Sequence, residues 1–121
     1  DLVQRVRQLT SNRGVDVVVE HVGAATWEKS LRCLARGGRV VTCGATTGHQ
    51  TSLDLRHLFA GHLSILGSYM GSKPELIEAA SLFFRGLLKP VVDSTFPLAA
   101  AAEAQSRLEA SRQFGKIVLI P

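Results

Sequence analysis

Val15-Asp16-Val17-Val18-Val19-Glu20 holds four valines in six residues. A β-branched run of that length, too short for a helix of ordinary size, predicts a strand buried in a sheet. Upstream, Leu2, Val3, Val6 and Leu9 recur at helical spacing. Thr10-Ser11-Asn12-Arg13-Gly14 breaks that helix, with Gly14 as its left-handed stop. Downstream, Gly23 opens a second helix, Ala24 to Arg36, with Trp27, Leu31 and Leu34 on one face and Gly37-Gly38 at its end. Arg39-Val40-Val41-Thr42-Cys43 then reads as a second strand, closed by Gly44.

The same alternation continues. Ala45 to Ser52 is polar and reads as a loop. Leu53 to Gly61 predicts a short helix with Leu55, Leu58 and Phe59 inward, and Leu63 to Tyr69 a third strand. Ser72-Lys73-Pro74-Glu75 has capping-box spacing with proline in the first turn. The helix it opens is expected to bury Leu76, Ala80, Phe83 and Leu87, and Pro90 bars its continuation. Val91 to Phe96 predicts a strand. Leu98 to Ser111 predicts a helix with Leu98, Ala101, Ala102 and Leu108 on one face, and Gly115 to Ile120 a last strand.

Strand, helix, strand, helix, strand, helix at this spacing argues for an α/β fold with a parallel sheet and helices on its faces. Near-continuous Val, Ile and Leu strands fit a sheet covered on both sides. In such sheets ligands bind beyond the carboxyl ends of the strands. Here those ends are Val22-Gly23, Cys43-Gly44-Ala45 and Ser68-Tyr69-Met70.

Composition narrows the function. The chain has 121 residues, 45% hydrophobic and 20% charged, with a net charge of +4. The basic residues are scattered and only seven aromatics are present, which argues against a nucleic-acid surface. No apolar run is long enough to span a membrane, and the first residues lack the basic and apolar segments of a signal peptide. Cys33 and Cys43 sit in apolar patterns with no C-x-x-C, so both are expected to be buried, reduced thiols in a cytoplasmic setting. His49, His57 and His62 lack Cys, Asp or Glu at zinc-ligand spacing, so no metal site is expected. His21 reads as a hydrogen-bonded scaffold residue at a strand end. No nucleophile elbow occurs, and Ser68 has no neighbouring base.

Four ordered pieces carry a resemblance: Val15 to Gly23, Gly37 to Gly44, Leu66 to Ser72 and Phe114 to Leu119. Together they resemble the medium-chain dehydrogenase/reductase superfamily, nearest to its zinc-containing alcohol dehydrogenases and NADPH:quinone oxidoreductases. The resemblance runs over nearly the whole chain. It implies the C-terminal half of a Rossmann-type doubly wound parallel sheet, residues 1–90. Residues 91–121 would be a strand-helix-strand segment returning to a catalytic domain that the chain lacks. It also implies that the G-x-G-x-x-G turn, the residue selecting NAD or NADP, and any zinc ligands lie outside these residues.

Carried over by position, Val22 and Gly23 would face the ribose and nicotinamide of the cofactor. Cys43, Gly44 and Ala45 would line the nicotinamide pocket. The backbone of Ser68, Tyr69 and Met70 would bind the carboxamide, since an amide needs one donor and one acceptor and a strand end offers both. Lys116 matches a position that reaches the cofactor phosphates in some members. Each assignment has a plainer rival. Gly23 and Gly44 would also serve tight strand-to-helix turns, Tyr69 would cover the core from an edge strand, and Lys116 would be a solvated lysine.

The implied function is the cofactor-binding part of an NAD(P)-dependent oxidoreductase passing hydride between nicotinamide and a carbonyl, alcohol or quinone-like substrate. No residue of the chain is assigned as catalytic, and the chain by itself is not expected to be active. The alternative is a non-catalytic, self-standing module that pairs with a second copy through the edge strand Leu63 to Tyr69.

Overall fold

A computed structural model describes all 121 residues. They form two compact units, Asp1–Met70 and Gly71–Pro121. That division falls ahead of the 90/91 boundary drawn from the sequence. The helix that follows Met70 buries none of its residues and so adds to no core.

The first unit begins with α1 (Leu2–Leu9), capped by the Asp1 carboxylate on the amides of Val3 and Gln4. β1 (Val15–Glu20), α2 (Trp27–Cys33), β2 (Leu34–Thr42), α3 (Leu55–Ala60) and β3 (Ser64–Gly67) follow. The three strands lie in the order β1-β2-β3, all parallel. Val18 pairs with Val40, and Val40 with Ile65. Trp27, Leu31, Leu34 and Val40 form the core, and Val40 is 0% exposed. Val15, Val18, Leu53, Leu63 and Ile65 pack around them.

Several expectations are corrected. α2 ends at Cys33, three residues before Arg36, because Leu34 is already extended. Residues 34–38 enter β2 through a register shift opposite Val15 and Val17. The Gly37 amide bonds the Gly61 carbonyl at 2.8 Å. The sheet is not covered on both faces: Val17, Val19 and Leu66 are exposed. Alternate strand residues point to opposite faces, and the core of this unit fills only one of them. In α3, Leu58 is half-buried while Leu55 and Phe59 face outward. Cys33 is buried, but Cys43 is an exposed thiol, since it lies just past the strand end.

Arg7 ties the unit together in a way that its sequence neighbourhood conceals. Its guanidinium donates to the carbonyls of Asn12 and Arg13, both at 2.9 Å, and to those of Arg32 at 2.9 Å and Leu34 at 3.3 Å. These include carbonyls at the end of α2, which a helix cannot satisfy internally.

The second unit contains α4 (Lys73–Phe84), β4 (Val92–Pro97), a 3-10 turn (Leu98–Ala100), α5 (Ala101–Glu109) and β5 (Lys116–Ile120). Ser72 and Glu75 form the expected capping box, the Ser72 amide reaching Glu75 Oε2 at 2.6 Å. β4 and β5 pair in parallel. The expected burial along α4 does not occur. Leu76 and Phe83 are exposed, Ala80 is half-buried, and Leu87 lies past the helix end at Phe84. An apolar stripe marks a face that can be buried, not the partner that buries it. In α5 the buried residue is Ala104, and Leu98 and Leu108 are exposed.

Asp93 knots this unit together. It accepts from Arg107 Nε at 2.8 Å, Arg107 Nη2 at 3.2 Å, the Phe114 amide at 3.0 Å and Ser94 Oγ at 2.9 Å. Arg107 foremost, with the Phe114 amide and Ser94, holds its carboxyl well below the usual carboxylate range. No helix is long and apolar enough to cross a membrane.

Candidate functional site

The three parallel strands of the first unit finish together, with Glu20 opposite Thr42 and Thr42 opposite Gly67. Beyond them lie the turn 21–25, the loop 43–48 and the segment 68–70. Thr42 to Ala45 and Gly67 to Tyr69 line an open cleft of about 470 Å³. Five of the expected site residues therefore meet at one surface: Cys43, Gly44, Ala45, Ser68 and Tyr69.

Tyr69 is 90% exposed, so it does not cover the core. Met70 has a φ of +52°, which turns the chain out of the strand direction. The Ser68 amide continues the ladder to the Thr42 carbonyl at 2.9 Å, and the Cys43 amide reaches the Glu20 carbonyl at 2.9 Å. The backbones of Tyr69 and Met70 make no hydrogen bond. A strand end thus presents an unused donor and acceptor beside the cleft.

Val22 and Gly23 do not line the cleft. They are clasped to the loop that does. The Val22 carbonyl accepts from both the amide and the hydroxyl of Thr47 at 2.8 Å. Thr47 Oγ1 accepts from the Ala25 amide at 3.0 Å, and the Ala24 amide reaches the Gly48 carbonyl at 3.1 Å. The two glycines permit this closeness. A Cβ on Gly23, whose φ is +96°, would lie 2.5 Å from the Gly48 carbonyl oxygen. One on Gly44 would lie 2.7 Å from the His21 carbonyl oxygen. Backbone approach therefore accounts for glycine at both positions. Lys116 lies on β5 in the second unit, exposed.

Beneath the turn sits a residue that sequence reasoning treated only as the end of a strand. Glu20 is 3% exposed and forms no salt bridge. Its Oε1 accepts from the Val22 amide at 2.7 Å, the Gly23 amide at 3.1 Å and Thr26 Oγ1 at 2.9 Å. Its Oε2 accepts from Thr26 Oγ1 at 3.0 Å and from Ser30 Oγ. Burial pushes this carboxyl up. The hydrogen bonds from Ser30, Gly23, Val22 and Thr26 outweigh it and bring the pKa down to about 2. The available signal was an acid closing an apolar strand, with Thr26 and Ser30 following at the start of a helix.

No three His, Cys, Asp or Glu side chains come together in a way that could hold an ion. His57 faces the Leu31 carbonyl and His62 faces Arg36, well apart in sequence from either cysteine. A zinc ion does not fit the donors of this chain.

Known proteins share this sequence pattern and fold. Residues 1–119 match the family model described as zinc-binding dehydrogenase. The chain is 35% identical to quinone oxidoreductase 1 of Escherichia coli, covering 100% of this chain and 40% of that protein. A solved NAD-dependent alcohol dehydrogenase is 44% identical with a TM-score of 0.79, covering 98% of this chain and 35% of the other. A 2-octenoyl-CoA carboxylase reductase, solved with NADP and 2-octenoyl-CoA, is 36% identical with a TM-score of 0.78, covering 98% and 28%. The chain spans two-fifths or less of the length of these relatives. In sequence and in fold it belongs to the zinc-binding dehydrogenases and corresponds to the C-terminal part of a medium-chain dehydrogenase/reductase.

Proposed function

We propose that this chain forms the nicotinamide-side floor of the cofactor site in an NAD(P)-dependent oxidoreductase. The observation that supports it most directly is the cleft over the carboxyl ends of three parallel strands, with unused backbone donors and acceptors at Tyr69 and Met70. The nicotinamide, when bound, carries the hydride that passes to or from a carbonyl, alcohol or quinone-like substrate. The chain's own part is to bind and orient. Cys43, Gly44 and Ala45 make one wall, and the backbone of Ser68 to Met70 holds the carboxamide. Val22 and Gly23 support the ribose side. The choice between NAD and NADP, the substrate contacts and any zinc belong to other parts of the enzyme.

Two further elements complete this reading. β3 is an edge strand with one side unpaired, which suits pairing with a second copy. Both cysteines are free, which suits a reducing cytoplasm.

The test uses the full-length protein that carries this chain. Ala45 is exposed at the cleft rim, so Ala45→Phe fills the cleft without disturbing the core. Titration with NADH and NADPH, followed by nicotinamide fluorescence, should show saturable binding of at least one. The variant should bind that cofactor about 10-fold or more weakly with an unchanged melting temperature, since 10-fold corresponds to about 1.4 kcal/mol of lost contact. Equal affinity in both proteins would move the cofactor away from this cleft.

A further inference from the structure

We infer that Glu20 is the positioning residue of the cofactor site: buried and never touching the cofactor, it fixes the Val22–Gly23 turn and, through Thr47, the loop 43–48 that walls the cleft. This rests on the reading that the nicotinamide end of the cofactor lies over these strand ends.

The geometry has two layers. From inside, one carboxylate oxygen receives both turn amides, Val22 and Gly23, together with the Thr26 hydroxyl. From outside, Thr47 closes on the Val22 carbonyl with its amide and its hydroxyl. The turn is thus held at its N–H groups by Glu20 and at its C=O by the loop that carries Cys43, Gly44 and Ala45. Each partner of Glu20 is a neutral donor, and no cation shares the pocket. A structural ion pair would have supplied an arginine or lysine. What stands here instead is an acceptor set shaped to two consecutive amides.

The two oxygens do different work, and this makes the inference testable. Oε1 serves the turn, whereas Oε2 serves only hydroxyls, which can rotate and accept as well as donate. Glu20→Gln can leave its carbonyl oxygen on the turn amides and set its NH2 against Thr26 and Ser30. Glu20→Met keeps the volume and removes both acceptors, leaving the turn amides buried and unpaired.

Full-length wild type, Glu20→Gln and Glu20→Met are titrated with NADH and NADPH. In parallel they are titrated with AMP, which carries only the adenine half. Glu20→Gln should bind the preferred dinucleotide within about 3-fold of wild type, and Glu20→Met about 10-fold or more weakly, as expected for lost partners on two buried amides. AMP affinity should be unchanged in both. Should Glu20→Met fail to fold, Thr47→Val tests the same chain of contacts from the exposed side. It should weaken the dinucleotide but not AMP. Wild-type affinity in Glu20→Met or in Thr47→Val overturns the inference. So does equal weakening of dinucleotide and AMP, which would mark a purely structural role. Wild-type protein that binds neither NADH nor NADPH overturns the function reading itself, and this inference with it.

Discussion

Glu20 keeps its negative charge where desolvation opposes it, because four neutral donors converge on two oxygens. That has a pH consequence with a definite sign. The folded pKa of about 2 lies below the ordinary 4.5. The carboxylate therefore contributes stability that is fully present above the unfolded value and is lost as pH falls through the folded one. Asp93, also held low, acts in the same direction in the second unit. Thermal unfolding of the full-length protein should be flat with respect to this group above about pH 5 and decline from about 4.5 toward 2. Glu20→Gln, which does not titrate, should show a shallower decline. Parallel profiles for the two proteins would contradict the account. At this scale the sequence was partly legible. Gly23 and Gly44 could be placed at strand ends from their neighbours, but the carbonyl oxygens they make room for come from residues more than 20 positions away. Cys43 read as buried because its strand is apolar, yet the strand stops one residue earlier.

Elements were easier to read in kind than in extent. Val15 to Glu20 is a strand at the expected limits, and Ser72 to Glu75 caps its helix as the spacing implied. The end of α2 was misplaced because Leu34, Ala35 and Arg36 suit a helix locally, while pairing with β1 draws them into β2. Arg7 shows the same limit. Its spacing puts it on a surface helix among other arginines, but its guanidinium bonds carbonyls of α2 and β2 25 and 27 residues on. Arg7→Ala should destabilise the protein by about 1.5–3 kcal/mol, the range for hydrogen bonds to a charged group. Arg5, which reaches only Gln8 at 3.5 Å, provides the control. Arg5→Ala should stay within about 0.5 kcal/mol. Chemical denaturation of both variants checks this, and equal effects would remove Arg7 from its role as a clamp.

For the whole molecule, parallel pairing follows from the alternation of strands and helices, and the order β1-β2-β3 leaves β1 and β3 at the edges. The alternation could not reveal that one face of this sheet stays open, nor that α4 would find no burial. Both depend on partners, and periodicity specifies only faces. The carboxyl ends of the strands were legible as the site because topology places them there. The clasp between turn and loop was not, since it joins backbone groups common to every residue to one side chain, Thr47, that lies 25 residues from the carbonyl it bonds.

The central claim is that the nicotinamide end of the cofactor rests on the ends of β2 and β3. Amide hydrogen exchange on the full-length protein, with and without saturating NADH or NADPH, tests it most directly. The account expects protection at Cys43 to Ala45 and at Ser68 to Met70, whose Tyr69 and Met70 amides are free in the structure. Saturable binding with no change in those two segments, and protection elsewhere in the chain, would contradict it.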